Sequence, residues 1–384
     1  MPQIAIPAVY MRGGTSRALV FHRRDLPEPR DIANPTEWND IFLAALGSPD
    51  PAERQLDGLG GGISSLSKIA VIGPPSRHDA DIDFTFGQVG VSKASVGYRG
   101  NCGNIISAVA PFAIDEGLIP ARGESATIRI HNTNTGKIIA ATIELDDGNA
   151  RVDGSFVIQG VSTPGSPVRL AFLSPGGAVT GMLLPTGNAV DDFALPDGTS
   201  IKASLVDAAN PTVFVAAEAV GLNGTETAAE IAANAAIRDR LDALRIAAAL
   251  DGKIAASADE ARTTVSNLPL VAVISPPKDH VIPGGNVAEA DVDVITRMIS
   301  AGQPHKATPL TGAMCLAVAA AIPGTIVHQI RRQDLNGDLR IGHASGILPV
   351  AAKVRVGDRG PVAEEAVVYR TARRLMAGMV YIPG

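Results

Sequence analysis

Two cysteines in 384 residues leave no room for a disulfide framework. Aromatic residues make up only 4% of the chain, too few for a platform on which nucleobases could stack. No block of basic residues with interleaved aromatics is present, so nothing points to nucleic acid. The longest apolar stretch, Gly312 to Ile322, is about half of the roughly 20 residues a membrane-spanning helix needs. The opening Met-Pro-Gln-Ile-Ala-Ile-Pro is too short and too broken by proline to serve as a signal h-region. With the low cysteine usage this points to a soluble protein of the reducing cytoplasm. The seven histidines show no metal-ligand spacing, and the Gly-x-Ser-x-Gly elbow of serine hydrolases is missing.

What is present is a globular composition: 46% hydrophobic, 19% charged, net charge -6. The length suggests two domains, each with an ample core. Ala5 to Tyr10 and Ala18 to Phe21, flanking Gly13-Gly14, read as a hairpin. Asn34-Pro-Thr-Glu37 reads as a capped helix start, with Gly47 as its stop. Leu66 to Ile72, Ile82 to Val91, Thr127 to Ile130, Lys137 to Leu145 and Arg151 to Val157 read as strands. A first buried helix runs from Asn101 to near Gly117, with Pro111 as a kink. After a seam at Leu183 to Asn188 the pattern restarts. Strands are expected at Ile201 to Asp207, Thr212 to Ala217 and Leu270 to Ser275. Helices are expected at Thr227 to Leu250 and Val287 to Ser300, the latter stopped by Gly302. A second helix, apolar all round, spans Thr311 to Ile322. Two such helices, each in a strand-rich half, suggest an internal duplication in which a curved sheet wraps each helix.

Three segments carry chemistry. Cys102 lies in a Gly/Asn turn ahead of the first buried helix, where unpaired amides and the helix dipole favour a thiolate and would also hold a carboxylate. A buried free thiol is the competing reading. Lys68 follows a Gly/Ser-rich run and enters an apolar strand, where desolvation lowers a lysine pKa towards that of a useful base. An exposed lysine at a strand start is the alternative. In Met11-Arg-Gly-Gly-Thr-Ser16, Gly-Gly lets backbone amides reach a ligand, and Arg12 or Arg17 could fork onto a carboxylate; a tight turn is the alternative. Lys278, His305 and the His343 to Gly346 turn are weaker candidates, and Cys315 reads as inert packing.

Taken together these blocks resemble a known family. Met-Arg-Gly-Gly-Thr-Ser (11–16), Gly-Ser-Pro-Asp (47–50), Asp-Gly-x-Gly-Gly (57–61), Ser-x-Ser-Lys (65–68) and Asn-Cys-Gly-Asn (101–104) are similar to the 2-methylaconitate isomerase (PrpF-type) family. So are Leu-Pro-Thr-Gly-Asn (184–188), Pro-Pro-Lys (276–278), Ser-Gly-Ile-Leu (345–348) and Arg-Thr-Ala-Arg (370–373). The resemblance covers essentially the whole chain. It implies an α+β fold of two similar diaminopimelate epimerase-like domains, each a curved, mostly antiparallel sheet around a central apolar helix, with the active site in the inter-domain cleft. The domains would be 1–183, with 365–384 as an optional completing strand, and 184–364. The epimerases place a cysteine before each central helix. Cys102 matches the first, but the second position, near Pro309, has none.

The resemblance therefore implies a cofactor-independent isomerase of unsaturated tricarboxylates acting by allylic proton transfer, with Lys68 and Cys102 as catalytic residues. Lys68 takes the proton and Cys102 assists at the other end, the reverse assignment being left open. The expected substrate-binding set is Arg12, Gly13, Thr15, Ser16, Ser64, Ser65, Ser67, Gly103, Asn104, Lys278, His305, Thr311, Gly312 and Ser345, with no metal. The partner is a small di- or tricarboxylate, and a homodimer is one assembly allowed. Within the class the alternatives are 4-oxalomesaconate tautomerase and aconitate isomerase. Outside it they are an amino-acid epimerase and a non-catalytic carboxylate-binding accessory protein.

Overall fold

The computed structural model describes residues 2–98, 102–358 and 360–384 and shows a mixed α+β protein. The chain divides into two compact units, Met1–Phe172 with Tyr369–Gly384, and Leu173–Val368. In the first unit β1 (Ile4–Gly13) and β2 (Ser16–His22) form an antiparallel hairpin closed by Gly14-Thr15. Gly14 has φ 51°, a conformation glycine adopts without a Cβ clash. β2 runs parallel to β3 (Lys68–Gly73), and β3 antiparallel to β4 (Ile82–Val89). β4 runs parallel to β5 (Ser125–Asn132), which continues antiparallel into β6 (Lys137–Asp146) and β7 (Val168–Leu173). The outer side of β1 is taken by the strand Ala372–Ile382, antiparallel over ten pairs from Ile4↔Ile382 to Gly13↔Ala372.

The second unit repeats this succession. Its strands are β8 (Asp191–Ala194), β9 (Ser200–Ala208), β10 (Asn210–Ala216), β11 (Leu270–Ser275), β12 (Val294–Ser300), β13 (Leu339–His343), β14 (Gly346–Gly357) and β15 (Gly360–Arg370). They pair in that order: antiparallel, antiparallel, parallel, antiparallel, parallel, antiparallel, antiparallel. From Ala372–Ile382, hereafter β16, through β1 to β7, the first unit shows the same order.

Alternation along the strands separates two faces in the first unit. Leu19, Phe21, Ile69 and Val71 join Ile6, Ala8, Trp38 and Phe42 in one core under α1 (Asn39–Leu46). Trp38, Phe42 and Phe21 are wholly buried, each contributing about 1.5–3 kcal/mol by leaving water. The other face carries Ala18, Val20 and His22. It is covered by the 3-10 turn Ile105–Ala108 and α2 (Val109–Asp115), whose Phe112 ring lies 4.9 Å from that of His22. In the second unit α3 (Ala228–Ala233), α4 (Ala235–Asp251) and α5 (Ala258–Thr263) precede β11, and α6 (Leu310–Ala321) and α7 (Ile326–Ile330) precede β13. Residues 312–320 of α6 are all buried, as a helix apolar on every face requires.

Five sequence expectations are corrected. Val287 to Ser300 is not a helix: it ends in the buried strand β12, and Gly302, at φ 71°, turns the hairpin that follows. The β-branched Val294, Ile295, Thr296 and Ile299 fit a strand buried on both faces better than a helix. Thr227 to Leu250 breaks at Asn234. That residue caps α4 by accepting from the Ile237 amide at 3.2 Å, while Thr227 and Glu230 form a capping box on α3. Arg151 to Val157 contains only an isolated bridge, Phe156↔Gly165. Asn34 does not cap α1; a 3-10 turn over Thr36–Trp38 leads into it with no capping side chain. Pro111 does not kink a continuous helix. It stands third in α2, within the first turn, where amides lack intrahelical acceptors.

Candidate functional site

The first unit brings together the Lys68, Cys102 and Gly-Gly segments. Lys68 opens β3, opposite Ala18 in β2 and Gln88 in β4, so the three share a face. Ser16, two residues before Ala18, and Gly13, paired with Ser16, continue that face towards the hairpin tip. The tip touches the Cys102 turn: a Cβ on Gly13 would fall 2.6 Å from the Asn104 carbonyl oxygen, and one on Gly14 would fall 2.3 Å from Asn104 Oδ1. Both glycines are thus required by close approach, which is to the protein's own turn.

Lys68 is 9% exposed, so the buried reading holds. Its Nζ donates to Gln88 Oε1 and lies 5.1 Å from the centre of the Phe86 ring. Gln88 Nε2 in turn donates to the Ser67 and Ser64 carbonyls at 2.9 and 3.0 Å. The amide therefore ties the lysine to the Ser-rich loop. Ser64 is exposed and Ser65 half-buried, whereas Ser67 is fully buried and its hydroxyl accepts from Gln55 Nε2 at 2.8 Å. Gln55 also receives the Gly62 amide, and a Cβ on Gly60 would meet its side chain at 2.3 Å. The glycines of this loop therefore close over Gln55, and Ser67 supports the loop.

Cys102 is half-buried. Its carbonyl accepts from the Ile106 amide at 3.1 Å. The amides of Gly103 and Asn104 donate to nothing among the described residues. Asn101, where the sequence reading begins the helix, lies outside the described residues. The thiol stands three residues before the 3-10 turn Ile105–Ala108, which runs directly into α2 at Val109. Thr15 at the hairpin tip is exposed.

The arginine roles also differ from expectation. Arg12 Nη1 donates to the Gly14 carbonyl and to both Thr371 O and Oγ1, at 2.9–3.0 Å, and Gly14 N donates to Thr371 O at 2.9 Å. Arg12 is therefore the clasp of the hairpin. Burial and the neighbouring Arg373 hold its pKa below the usual arginine value. Arg17 stacks over Tyr10 at 5.5 Å. The cation at the Cys102 turn is Arg370, whose Nε donates to Asn104 Oδ1 at 3.1 Å. Burial pushes its pKa down to about 10, and the nearby Cys102 opposes that shift. Sequence reasoning missed Arg370 and Gln88 as site residues. Arg370 was visible only as the first residue of the Arg-Thr-Ala-Arg block, and Gln88 only as one polar residue, with Asp83 and Thr85, in an otherwise apolar strand.

In the second unit the candidates fall into two places. The His305 amide bonds the Met298 carbonyl at 2.8 Å, Met298 sulfur packs where a Gly312 Cβ would be, and Ser345 Oγ donates to the Lys306 carbonyl. His305, Gly312 and Ser345 thus gather around β12, with Thr311 exposed beside Gly312. Burial lowers the His305 pKa. Lys278 is apart from them. It is exposed, bonds the Asn223 carbonyl at 3.0 Å and follows Ser275, whereas Gly312 packs on Leu270 at the opposite end of β11, about 17 Å away at strand rise. Cys315 is sealed in α6, its Sγ 3.3 Å from the Val206 carbonyl and its pKa pushed up to about 12 by burial. Among the described residues no three acids, histidines or cysteines gather as a metal site, and no helix is long and apolar enough to cross a membrane.

A family model described as PrpF protein matches residues 3–383. The 3-methylitaconate isomerase of Eubacterium barkeri is 40% identical over 383 residues, covering 99% of this chain and 98% of that protein. The 2-methyl-aconitate isomerase of Shewanella oneidensis is 37% identical over 390 residues, covering 100% and 98%. The crystal structure of a methylitaconate-delta-isomerase, 40% identical, superposes with a TM-score of 0.92 over 100% of this chain and 96% of its own. By class the protein is an isomerase. The chain belongs to the PrpF family.

Proposed function

We propose that this isomerase moves a carbon–carbon double bond in a branched, unsaturated di- or tricarboxylate by proton transfer between Lys68 and Cys102, without a cofactor. The observation that carries the reading is the convergence, on one sheet face of one unit, of Lys68, the hairpin tip and the Cys102 turn. The full-length likeness to proteins named methylitaconate and methylaconitate isomerases supports the substrate class. A diaminopimelate epimerase-like architecture is part of the same proposal, and the repeated strand order of the two units supports it.

The chemistry balances as follows. Lys68 as a free amine removes a proton from the allylic carbon. The C–H electron pair enters the conjugated system, giving a dienolate with charge on a carboxylate oxygen. A proton returns from Cys102 to the far carbon, and the double bond ends one position along. The ammonium and thiolate then reset by exchange with solvent. The amides of Gly103 and Asn104, unpaired among the described residues, with the hydroxyls of Ser16, Ser64 and Ser65, stabilise the oxyanion. Gln88 holds the lysine in place.

Proton NMR of purified protein with methylitaconate, methylaconitate, aconitate and oxalomesaconate in D2O tests this. The expected result is alkene migration with deuterium entering the allylic position of at least one acid. Lys68→Met should lower turnover by about 10²–10⁴-fold with the fold unchanged by circular dichroism. Near-normal turnover in Lys68→Met, or no alkene movement in any of the acids, would sink the reading. Exchange confined to the α-proton of an amino acid would replace it with an epimerase.

A further inference from the structure

Arg370 ends β15, far along the chain from the catalytic segments: 266 positions separate it from Asn104, to which its Nε is bonded. Its Nη1 donates to the Tyr369 carbonyl at 2.8 Å. Its Cδ lies 3.1 Å from where a Cβ on Gly14 would stand, so the side-chain stem passes the hairpin tip. Three segments distant in sequence, 11–16, 102–104 and 370–371, thus meet around one guanidinium.

The anionic group that favours this charge is the Cys102 thiol, not a carboxylate. Among the described residues no carboxylate lies within ion-pair distance of Arg370, while the nearby Arg374 pairs with Glu116 at 2.7 Å and Arg355 with Glu364 at 3.3 Å. A guanidinium has five N–H donors. The Nε and one Nη1 hydrogen are committed, and Nη2 bonds nothing among the described residues. The guanidinium is half-buried and keeps Nη2 free for an incoming anion among the described residues. Beside it stand the amides of Gly103 and Asn104, which donate to nothing among the described residues.

We propose that Arg370, held by Asn104 and the hairpin tip, receives a carboxylate of the substrate and fixes it against the Cys102 turn. This rests on the carboxylate reading above. Arg12, the sequence candidate for that task, clasps Thr371 and so keeps Arg370's neighbouring residue in register with the hairpin. A planar fork suits a carboxylate bidentately, and a lysine cannot reproduce it.

The test uses the full chain and an inert ligand, propane-1,2,3-tricarboxylate, with methylsuccinate as the dicarboxylate, titrated by calorimetry. Arg370→Gln is expected to raise Kd at least about tenfold, and Arg370→Lys at least about threefold. On whichever acid turns over, KM should rise more than kcat falls. The ligand should protect Cys102 from iodoacetamide in the wild type and not in Arg370→Gln. Unchanged Kd in a folded Arg370→Gln overturns the proposal. If that variant does not fold, unchanged Kd in Arg370→Lys overturns it. Because the probe is saturated, Arg370-dependent binding with no turnover of any unsaturated acid would leave this inference standing and sink the isomerase mechanism instead.

Discussion

Arg12 clasps the hairpin instead of standing free as the carboxylate fork that sequence suggests, and the difference shows what a sequence can reveal at the residue scale. Arg12 stands beside Gly-Gly and looks free, but its partner Thr371 is 359 positions away. Lys68 was legible because a charge entering the apolar run Ile69 to Ile72 must be either exposed or used. Its holder Gln88 was not, since cross-strand register rather than spacing makes them neighbours. Gly14 is the residue on which the meeting of segments depends. Gly14→Ala places a Cβ on a positive φ and against Asn104 Oδ1, and is expected to cost about 1–3 kcal/mol. Thermal unfolding should record a lower midpoint, and turnover should fall with it because Asn104 and Arg370 are displaced together.

At the scale of elements, legibility follows the strength of the local signal. The hairpin, the strands β3, β4 and β11, and the wholly apolar α6 are written in periodicity and in glycine. β12 was misread because a short apolar run fits either a buried strand or a helix, and only pairing with β11 and β13 decides. The break at Asn234 was missed because alanine-rich sequence favours helix on both sides of it. Its cap is testable: Asn234→Ala should destabilise by about 1 kcal/mol, read from urea unfolding. Cys315 yields a pH prediction. Its folded pKa is raised to about 12 from a usual 9.0, so the stabilisation is complete below pH 9 and is lost as pH rises towards 12, where the unfolded thiol ionises first. Unfolding free energy should therefore decline more steeply between pH 9 and 12 in the wild type than in Cys315→Ala. Iodoacetamide at neutral pH should label Cys102 alone.

At the scale of the whole molecule, the chain repeats one strand order twice and equips the copies differently. Lys68 faces Ala18 at the start of β3, and at the matching place in the second unit Leu270 faces Thr212. Pro309, not a cysteine, precedes α6. The duplication was legible from the two apolar helices, and the difference between the copies from the missing second cysteine. The resemblance allows a C-terminal strand within 365–384 to complete the first domain; β16 pairs with β1 although the whole second unit lies between them in sequence. Removing residues 372–384 should strip β1 of its ten-pair ladder and leave the first unit unable to fold. Circular dichroism and limited proteolysis of the truncated chain would show this, with the Leu173–Val368 region the more protected. The pairing of Ile4 with Ile382 also imposes an order in time. During synthesis, at roughly 5–20 residues per second, the second unit emerges whole while the first, though started earlier, waits. For that interval, on the order of thirteen to fifty seconds after Asn104 emerges, the Cys102 turn has no Arg370. The Cys102 thiol is made long before the cation that neighbours it, so the newborn chain carries that thiol unaccompanied until the last strand is laid against the first.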